Sequence, residues 1–195
     1  MISVTIYRAG HQYRGFLCEG HAGYAEEGYD IICSAVSALT VNTINSIETL
    51  TEDEINAILS GITDSRQKTV CSYALHRVGY PYSQDLRDSG NYYDCSSLAY
   101  YSWKDAGVDI SHGGATTAAA EAQGLDEAGK TVTYDQLQPG DLIFYSFTSN
   151  GRYMNISHVA VYVGNGKVVE ALNESLGVVY RDVASTGKIV VIGRP

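Results

Sequence analysis

The sequence predicts an α+β protein, because helical patterns occupy its middle and strand patterns follow them. Apolar residues recur at helical spacing over residues 95–106, and five short apolar runs fall between residues 142 and 192. Two of these runs flank Gly164-Asn165-Gly166, which is a strong hairpin signal. Helices followed by strands that are joined through short turns are typical of the α+β class.

A small α/β segment is predicted at the N-terminus. Residues 2–7 alternate apolar and polar side chains, which indicates a half-buried strand, and residues 15–19 predict a second strand. The glycine-rich residues 20–28 predict a loop. Asp30 is a suitable N-cap for a helix that extends to about Leu50.

Helices are predicted next, and the first of them opens with the capping-box pattern Thr51-Glu52-Asp53-Glu54. They cover residues 52–60, residues 64 or 65 to about 79, residues 95–106 and residues 115–129. Strands follow at residues 142–147, 158–163, 167–172, 178–180 and 189–192. We therefore divide the chain into an N-terminal segment of residues 1–50, a linker helix at 51–65 and a domain of residues 66–195.

Charge and composition exclude several classes of partner. The formal net charge is −9 and no basic patch is evident, which argues against nucleic acid. No apolar run is long enough to span a membrane, and the alternating start does not resemble a signal peptide. The four cysteines form no Cys-x-x-Cys pair, so we expect no metal site and no cofactor.

Cys95 is a candidate nucleophile because it follows Asp94, a natural N-cap, and therefore lies in the first turn of a predicted helix. A thiol attacks as a thiolate, and the backbone N–H groups of a helix start favour that negative charge. A buried structural cysteine is the alternative. A base would be His158, which begins an alternating strand, if the fold brings it to Cys95.

Three motifs in this order resemble the NlpC family of cell-wall cysteine peptidases. They are Asp94-Cys95-Ser96-Ser97, Leu137-Gln138-Pro139-Gly140-Asp141-Leu142 and Ser157-His158-Val159-Ala160-Val161-Tyr162-Val163-Gly164-Asn165-Gly166. The resemblance extends from about residue 66 to residue 195. It implies a papain-like fold, with helices packed on a small antiparallel sheet, Cys95 as nucleophile and His158 as general base. The implied substrate is the peptidoglycan stem peptide, cut between D-glutamate and a diamino acid.

The third catalytic position of that family is a polar residue about twelve residues after the base, where this chain has Glu170 instead of the commoner histidine. A carboxylate can orient an imidazole and stabilise its charged form. A two-residue hairpin loop would turn Glu170 away from His158 and place Asn173 opposite it. A three-residue loop, residues 164–166, would put Glu170 on the face of His158. We predict Glu170; a solvent-facing glutamate is the alternative.

The same resemblance assigns Tyr82, Asp94 and Ser96 to the substrate or oxyanion site. Tyr82 matches a tyrosine that lies near the nucleophile in the family. Donors aimed at the developing oxyanion are required there, and the backbone N–H of Cys95 is another candidate.

A second resemblance lies in residues 20–39, G-H-A-G-Y-A-E-E-G-Y-D-I-I-C-S-A-V-S-A-L, which are similar to the ribosomal-processing cysteine protease (Prp) family. It implies His21 as base, Cys33 as nucleophile, Asp30 as a nearby acid and a ribosomal protein precursor as partner. The resemblance covers residues 1–50 only, so the segment is partial.

The sequence thus predicts a cysteine peptidase of bacterial peptidoglycan, with two alternatives. One is the processing of a ribosomal protein through His21 and Cys33, and the other is a non-catalytic module that binds the wall. The first resemblance implies a secreted or wall-bound protein and the second a cytoplasmic one, and we expect no signal peptide in this chain.

Overall fold

The computed structural model describes residues 2–9, 12–20, 50–184 and 186–195. The chain divides into two compact units, Met1–Glu48 and Thr49–Pro195. The division into residues 1–50, 51–65 and 66–195 stays a prediction.

The first unit contains an antiparallel strand pair. Strand β1 (Ile2–Ala9) and strand β2 (Gln12–Gly20) are both longer than predicted, and they confirm the two predicted strands. The helix predicted after Asp30 lies outside the described residues, and so do His21 and Cys33.

The second unit begins with helices whose N-caps are all hydroxyl or carboxylate side chains. The helices are α1 (Glu52–Ser60), α2 (Ser65–Leu75), α3 (Cys95–Asp105) and α4 (Ala118–Glu127), capped by Thr51, Asp64, Asp94 and Thr117. Each cap side chain accepts a hydrogen bond from a backbone N–H group of the first turn, which the helix itself leaves unpaired. The four predicted helices are confirmed.

Helix α2 ends about four residues before its predicted end, because the following chain pairs with the sheet instead. The N–H of Gly79 donates to the carbonyl of Val178 at 2.8 Å, and the N–H of Val178 donates to the carbonyl of Tyr80 at 2.8 Å. A Cβ at Gly177, whose φ is 65°, would lie 2.2 Å from the Tyr80 carbonyl oxygen. Only glycine allows this close approach.

A five-stranded antiparallel sheet completes the unit. Its strands are β3 (Leu142–Tyr145), β4 (His158–Gly164), β5 (Lys167–Asn173), β6 (Gly177–Asp182) and β7 (Ile189–Gly193), in the order β6-β5-β4-β3-β7. Every predicted strand of this region is confirmed, and helices followed by this sheet make the α+β class.

The helices cover one face of the sheet. Val159 and Val161 of β4 pack into the main core together with Leu98 and Trp103 of α3. Burial of one such side chain contributes about 1.5–3 kcal/mol. Side chains alternate along a strand, so Ala160 turns to the opposite face and packs in a second, smaller cluster.

Candidate active site

The start of α3 positions Cys95. The carboxylate of Asp94 accepts a hydrogen bond from the backbone N–H of Ser97 at 2.7 Å, and the Ser97 hydroxyl accepts one from the N–H of Asp94 at 3.0 Å. This reciprocal capping box holds the first turn in place. Cys95 is half-buried, so its thiol is fixed by the helix and still reachable.

Arg87 ties the same helix start to the start of α4. One guanidinium nitrogen donates to the carboxylate of Asp94 at 2.7 Å. The other donates to the carbonyl oxygen of Thr116 at 2.6 Å and to its hydroxyl at 3.0 Å. Asp94 is only 4% exposed, so this charge-assisted pair is shielded from water. Arg87 therefore fixes the position of the Cys95 turn from outside the helix.

His158 is the first residue of β4, where it lies opposite Tyr145 of β3. The loop before it is closed by Asn150, whose side-chain amide donates to the carbonyl of Ile156 at 2.9 Å. Asn155 accepts from the backbone N–H groups of Asn150 and Gly151 at 3.1 Å each. This rigid loop and the strand pairing determine where the imidazole lies.

Glu170 contacts His158 directly. One oxygen of the Glu170 carboxylate bonds to Nε2 of His158, and the other accepts from Nε of Arg181. Glu170 is 1% exposed, whereas the Arg181 side chain is 39% exposed. Because Glu170 takes Nε2, Nδ1 is the ring nitrogen left for Cys95. The structure thus brings three predicted residues together: Cys95, His158 and Glu170.

The register of β4 and β5 explains this contact. Val161 lies opposite Val169, so the same register puts Ala160 opposite Glu170, as the three-residue loop predicted. The strand ends leave only Asn165 and Gly166 between them, however. An irregularity between Tyr162 and Gly164 adds the extra residue to β4. A β-bulge therefore supplies the register that we predicted from a longer loop.

The charges around His158 stabilise its imidazolium form. Burial by itself would lower the pKa of His158, but hydrogen bonds and charges from Cys95 and Glu170 outweigh it and raise that pKa to about 9. Burial would raise the pKa of Glu170, but His158 and Arg181 hold it below its ordinary value. The arrangement therefore favours an imidazolium at His158 that is backed by the Glu170 carboxylate and lies beside the Cys95 thiol.

The three predicted substrate or oxyanion residues differ in their surroundings. Tyr82 is half-buried, and this burial is the main reason that the pKa of its hydroxyl is raised. The nearby Cys95 and Asp94 raise that pKa further. Asp94 and Ser96 are both buried, and the Ser96 hydroxyl donates to the Asp94 carboxylate at 3.3 Å. These two side chains hold the helix start, and a contact with substrate stays a prediction for all three residues.

The sequence did not predict Arg181 as a residue of the site. It lies opposite Val168, while Glu170 lies opposite Val179, so Arg181 is the diagonal cross-strand neighbour of Glu170. Only the pairing register of β5 and β6 reveals this neighbour.

The sequence also did not predict that Glu121 lies buried near Cys95 and Asp94. It is fully buried on α4, and neither carboxylate oxygen has a hydrogen-bond partner among the described residues. Burial first, then the charges of Cys95 and Asp94, raise the pKa of Glu121 well above its ordinary value, against the effect of Arg87. The sequence did contain one indication that Glu121 is buried: it lies on the same helical stripe as the apolar residues Ala118, Ala122 and Leu125.

The described residues contain neither a metal-binding cluster nor a membrane-spanning helix. Residues 2–9, 12–20, 50–184 and 186–195 contain no group of three or more His, Cys, Asp or Glu side chains that could hold a metal ion. None of the helices described over these ranges is long and apolar enough to cross a membrane.

Comparison with known families agrees with this geometry. Residues 79–189 match the profile of the NlpC/P60 family, and residues 1–85 match that of the cysteine protease Prp. The chain belongs to the NlpC/P60 family. The Prp match precedes the NlpC/P60 match and extends beyond the residues 1–50 of the predicted segment. Both profiles indicate a cysteine-type peptidase.

Curated relatives match somewhat more than half of the chain. The bifunctional muramidase/DL-endopeptidase CwlT of Bacillus subtilis is 33% identical over 118 residues, which are 60% of this chain and 32% of that protein. A Corynebacterium glutamicum protein named "Probable endopeptidase" is 31% identical over 111 residues, 57% of this chain and 45% of its own length. The chain therefore spans less than half the length of these relatives.

Solved NlpC/P60 structures share the fold. The P60 domain of an antigen from M. avium subspecies paratuberculosis is 27% identical with a TM-score of 0.51, over 66% of this chain and 93% of that domain. A family protein from Bacillus cereus is 21% identical with a TM-score of 0.53, over 66% of this chain and 39% of its own. These likenesses confirm the predicted papain-like NlpC arrangement.

Proposed function

We propose that the Thr49–Pro195 unit hydrolyses peptide bonds in the stem peptides of bacterial peptidoglycan. The observation that carries the proposal is the grouping of Cys95, His158, Glu170 and Arg181: Glu170 bonds both His158 and Arg181, and Cys95 lies near enough to His158 to raise the pKa of its imidazole. A thiol at a helix start, an adjacent imidazole and an orienting carboxylate form the arrangement that nucleophilic acyl transfer requires.

The proposed reaction runs in two steps. The Cys95 proton passes to His158, and Sγ attacks the scissile carbonyl carbon to form a C–S bond. As the C–N bond breaks, the imidazolium gives its proton to the leaving amine, which departs and leaves a thioester. Water then attacks the thioester while His158 takes a proton, and the acid product and free Cys95 are released. Glu170 keeps the imidazole oriented and stabilises its positive charge throughout.

The substrate class rests on the relatives. A protein whose name includes the DL-endopeptidase activity is 33% identical to this chain over 118 residues. We take the bond between D-glutamate and a diamino acid as the target, as the family resemblance implies. Tyr82, near Cys95, and the backbone N–H of Cys95 are the proposed donors to the oxyanion.

Mass spectrometry of digested peptidoglycan tests this proposal. We expect the wild type and Cys33→Ala to release cut stem peptides. Cys95→Ala should lose turnover at least about a thousandfold, because the nucleophile is gone, while its melting temperature stays near that of the wild type. Full activity of Cys95→Ala would refute the assignment. Wall binding without cleavage by the wild type would instead favour a non-catalytic module.

A second candidate function follows from the Prp match over residues 1–85. In this proposal His21 and Cys33 process the N-terminus of a ribosomal protein precursor. Cleavage of such a precursor that is lost in Cys33→Ala and retained in Cys95→Ala would support it. Equal cleavage by Cys33→Ala and the wild type would reject it.

A further inference from the structure

An exposed aromatic side chain lies beside the imidazole of His158. The ring centroid of Phe147 is 6.2 Å from that of His158, and the Phe147 residue is 43% exposed. Its ring also stacks on Tyr145, with centroids 5.4 Å apart and planes 10° apart. Tyr145 itself is fully buried and lies 6.0 Å from His158. One side of Phe147 is thus covered by aromatic rings, and the rest is accessible.

The position of Phe147 is held by more than stacking. Its backbone N–H donates to the Ser157 hydroxyl at 3.1 Å, and the N–H of Ser157 donates to the carbonyl of Tyr145 at 2.9 Å. The residue directly before His158 therefore holds Phe147 next to the imidazole. A surface held in place before binding loses little freedom when a ligand packs on it.

The proton transfer from His158 determines which part of a substrate lies next to Phe147. His158 must give its proton to the leaving nitrogen, so that nitrogen lies within hydrogen-bond reach of the ring. The side chain of the leaving residue is attached to the α-carbon that is bonded to this nitrogen. It therefore extends over the groups that lie beside the imidazole. Phe147 is the exposed apolar group at this place.

We propose that Phe147 is a specificity-determining residue that binds the aliphatic side chain of the residue on the leaving side of the scissile bond. This inference rests on the proposed function and assigns to Phe147 the recognition of the alkyl side chain of the leaving diamino acid. Methylene groups of that chain pack on the Phe147 ring, while the terminal ammonium stays in water. Burying the equivalent of two methylenes corresponds to a rate factor of about ten to fifteen.

Synthetic peptides that share one γ-D-glutamyl donor and differ only in the leaving residue test the inference. The leaving residues are lysine, norleucine, which has an alkyl side chain without the ammonium, and glycine. The quantity measured is kcat/KM for each peptide with the wild type, Phe147→Ala, Phe147→Leu and Val190→Ala. Val190 is the matched control, because it is an apolar residue of β7 that is 41% exposed and has no role in the site described.

We expect Phe147→Ala to reduce the lysine-to-glycine ratio of kcat/KM about tenfold, with the same loss for norleucine and almost none for glycine. Phe147→Leu should retain most of the ratio, and Val190→Ala all of it. The rate at which iodoacetamide alkylates Cys95, followed by mass spectrometry of its peptide, should not change in Phe147→Ala.

Two results would overturn the inference alone: equal losses of kcat/KM on all three peptides, or no loss on any of them, in Phe147→Ala. The first would mean that Phe147 acts only by supporting His158, and slower alkylation of Cys95 would accompany it. If the wild type cleaves none of the peptides, the inference and the proposed function fall together.

Discussion

Replacing Glu170 with glutamine tests the proposed role of the third residue with the least change in shape. The amide can still accept a hydrogen bond from Nε2 of His158, but it has no charge to stabilise the imidazolium. Arg181 then loses its partner as well, although its side chain is 39% exposed and water compensates for part of that loss.

The size of the effect follows from the burial of the contact. Glu170 is 1% exposed, so its hydrogen bond to a charged His158 is shielded from water. Hydrogen bonds to charged groups contribute about 1.5–3 kcal/mol, which corresponds to a rate factor of about 10 to 150. We expect kcat of Glu170→Gln to fall within that range and KM to change little, because Glu170 contacts His158 and not the substrate.

The pH dependence gives a second, independent readout. The pKa of His158 is raised from 6.5 to about 9, so the stability that its charged form contributes is fully present below pH 6.5 and is lost as the pH rises through about 9. Without the charge of Glu170, burial lowers the pKa of His158 with less opposition. The alkaline limb of the activity profile should therefore shift to lower pH in Glu170→Gln.

The assay is kcat and KM for a stem peptide between pH 5 and 10, together with the alkylation rate of Cys95 over the same range. Glu52→Gln is the matched control, since Glu52 is exposed on α1, pairs with His76 outside the site and should behave as the wild type. An unchanged kcat and an unchanged alkaline limb in Glu170→Gln would refute the proposed role of the carboxylate.

Two further predictions concern stability. Asp94→Ala removes the cap of α3 and the partner of Arg87, so the free energy of unfolding in urea should fall by about 1–3 kcal/mol, and Asp94→Asn, which can still cap the helix, should lose less. Equal losses in the two variants would contradict the capping role. Glu121→Leu should raise the melting temperature more at pH 8 than at pH 4.5. The raised pKa of Glu121 means that folding must keep its carboxyl protonated, so the wild type loses stability as the pH rises above the ordinary value of 4.5. A gain that does not depend on pH would show that folding does not raise the pKa of Glu121.

Local signals in the sequence were sufficient to predict the helices and strands and to select the two residues that we propose react. The capping pattern at Thr51 and the N-cap Asp94 both begin helices where predicted, because a cap bonds N–H groups two or three residues away. Strand alternation located β4 and β5, and motif order identified Cys95 and His158. The end of α2 was missed, since Gly79 pairs with Val178, almost a hundred residues farther along the chain.

The sequence by itself determined the fold class and the family, and it selected Cys95 and His158 as the proposed nucleophile and base. The tertiary structure alone decided which groups surround them. Glu170 reaches His158 because a bulge in β4 shifts the register by one residue, and a shift of one residue turns a side chain to the other face of the sheet. Arg181, Arg87, Glu121 and Phe147 join the site through contacts between separate elements, and such contacts depend on register and packing that no local pattern encodes.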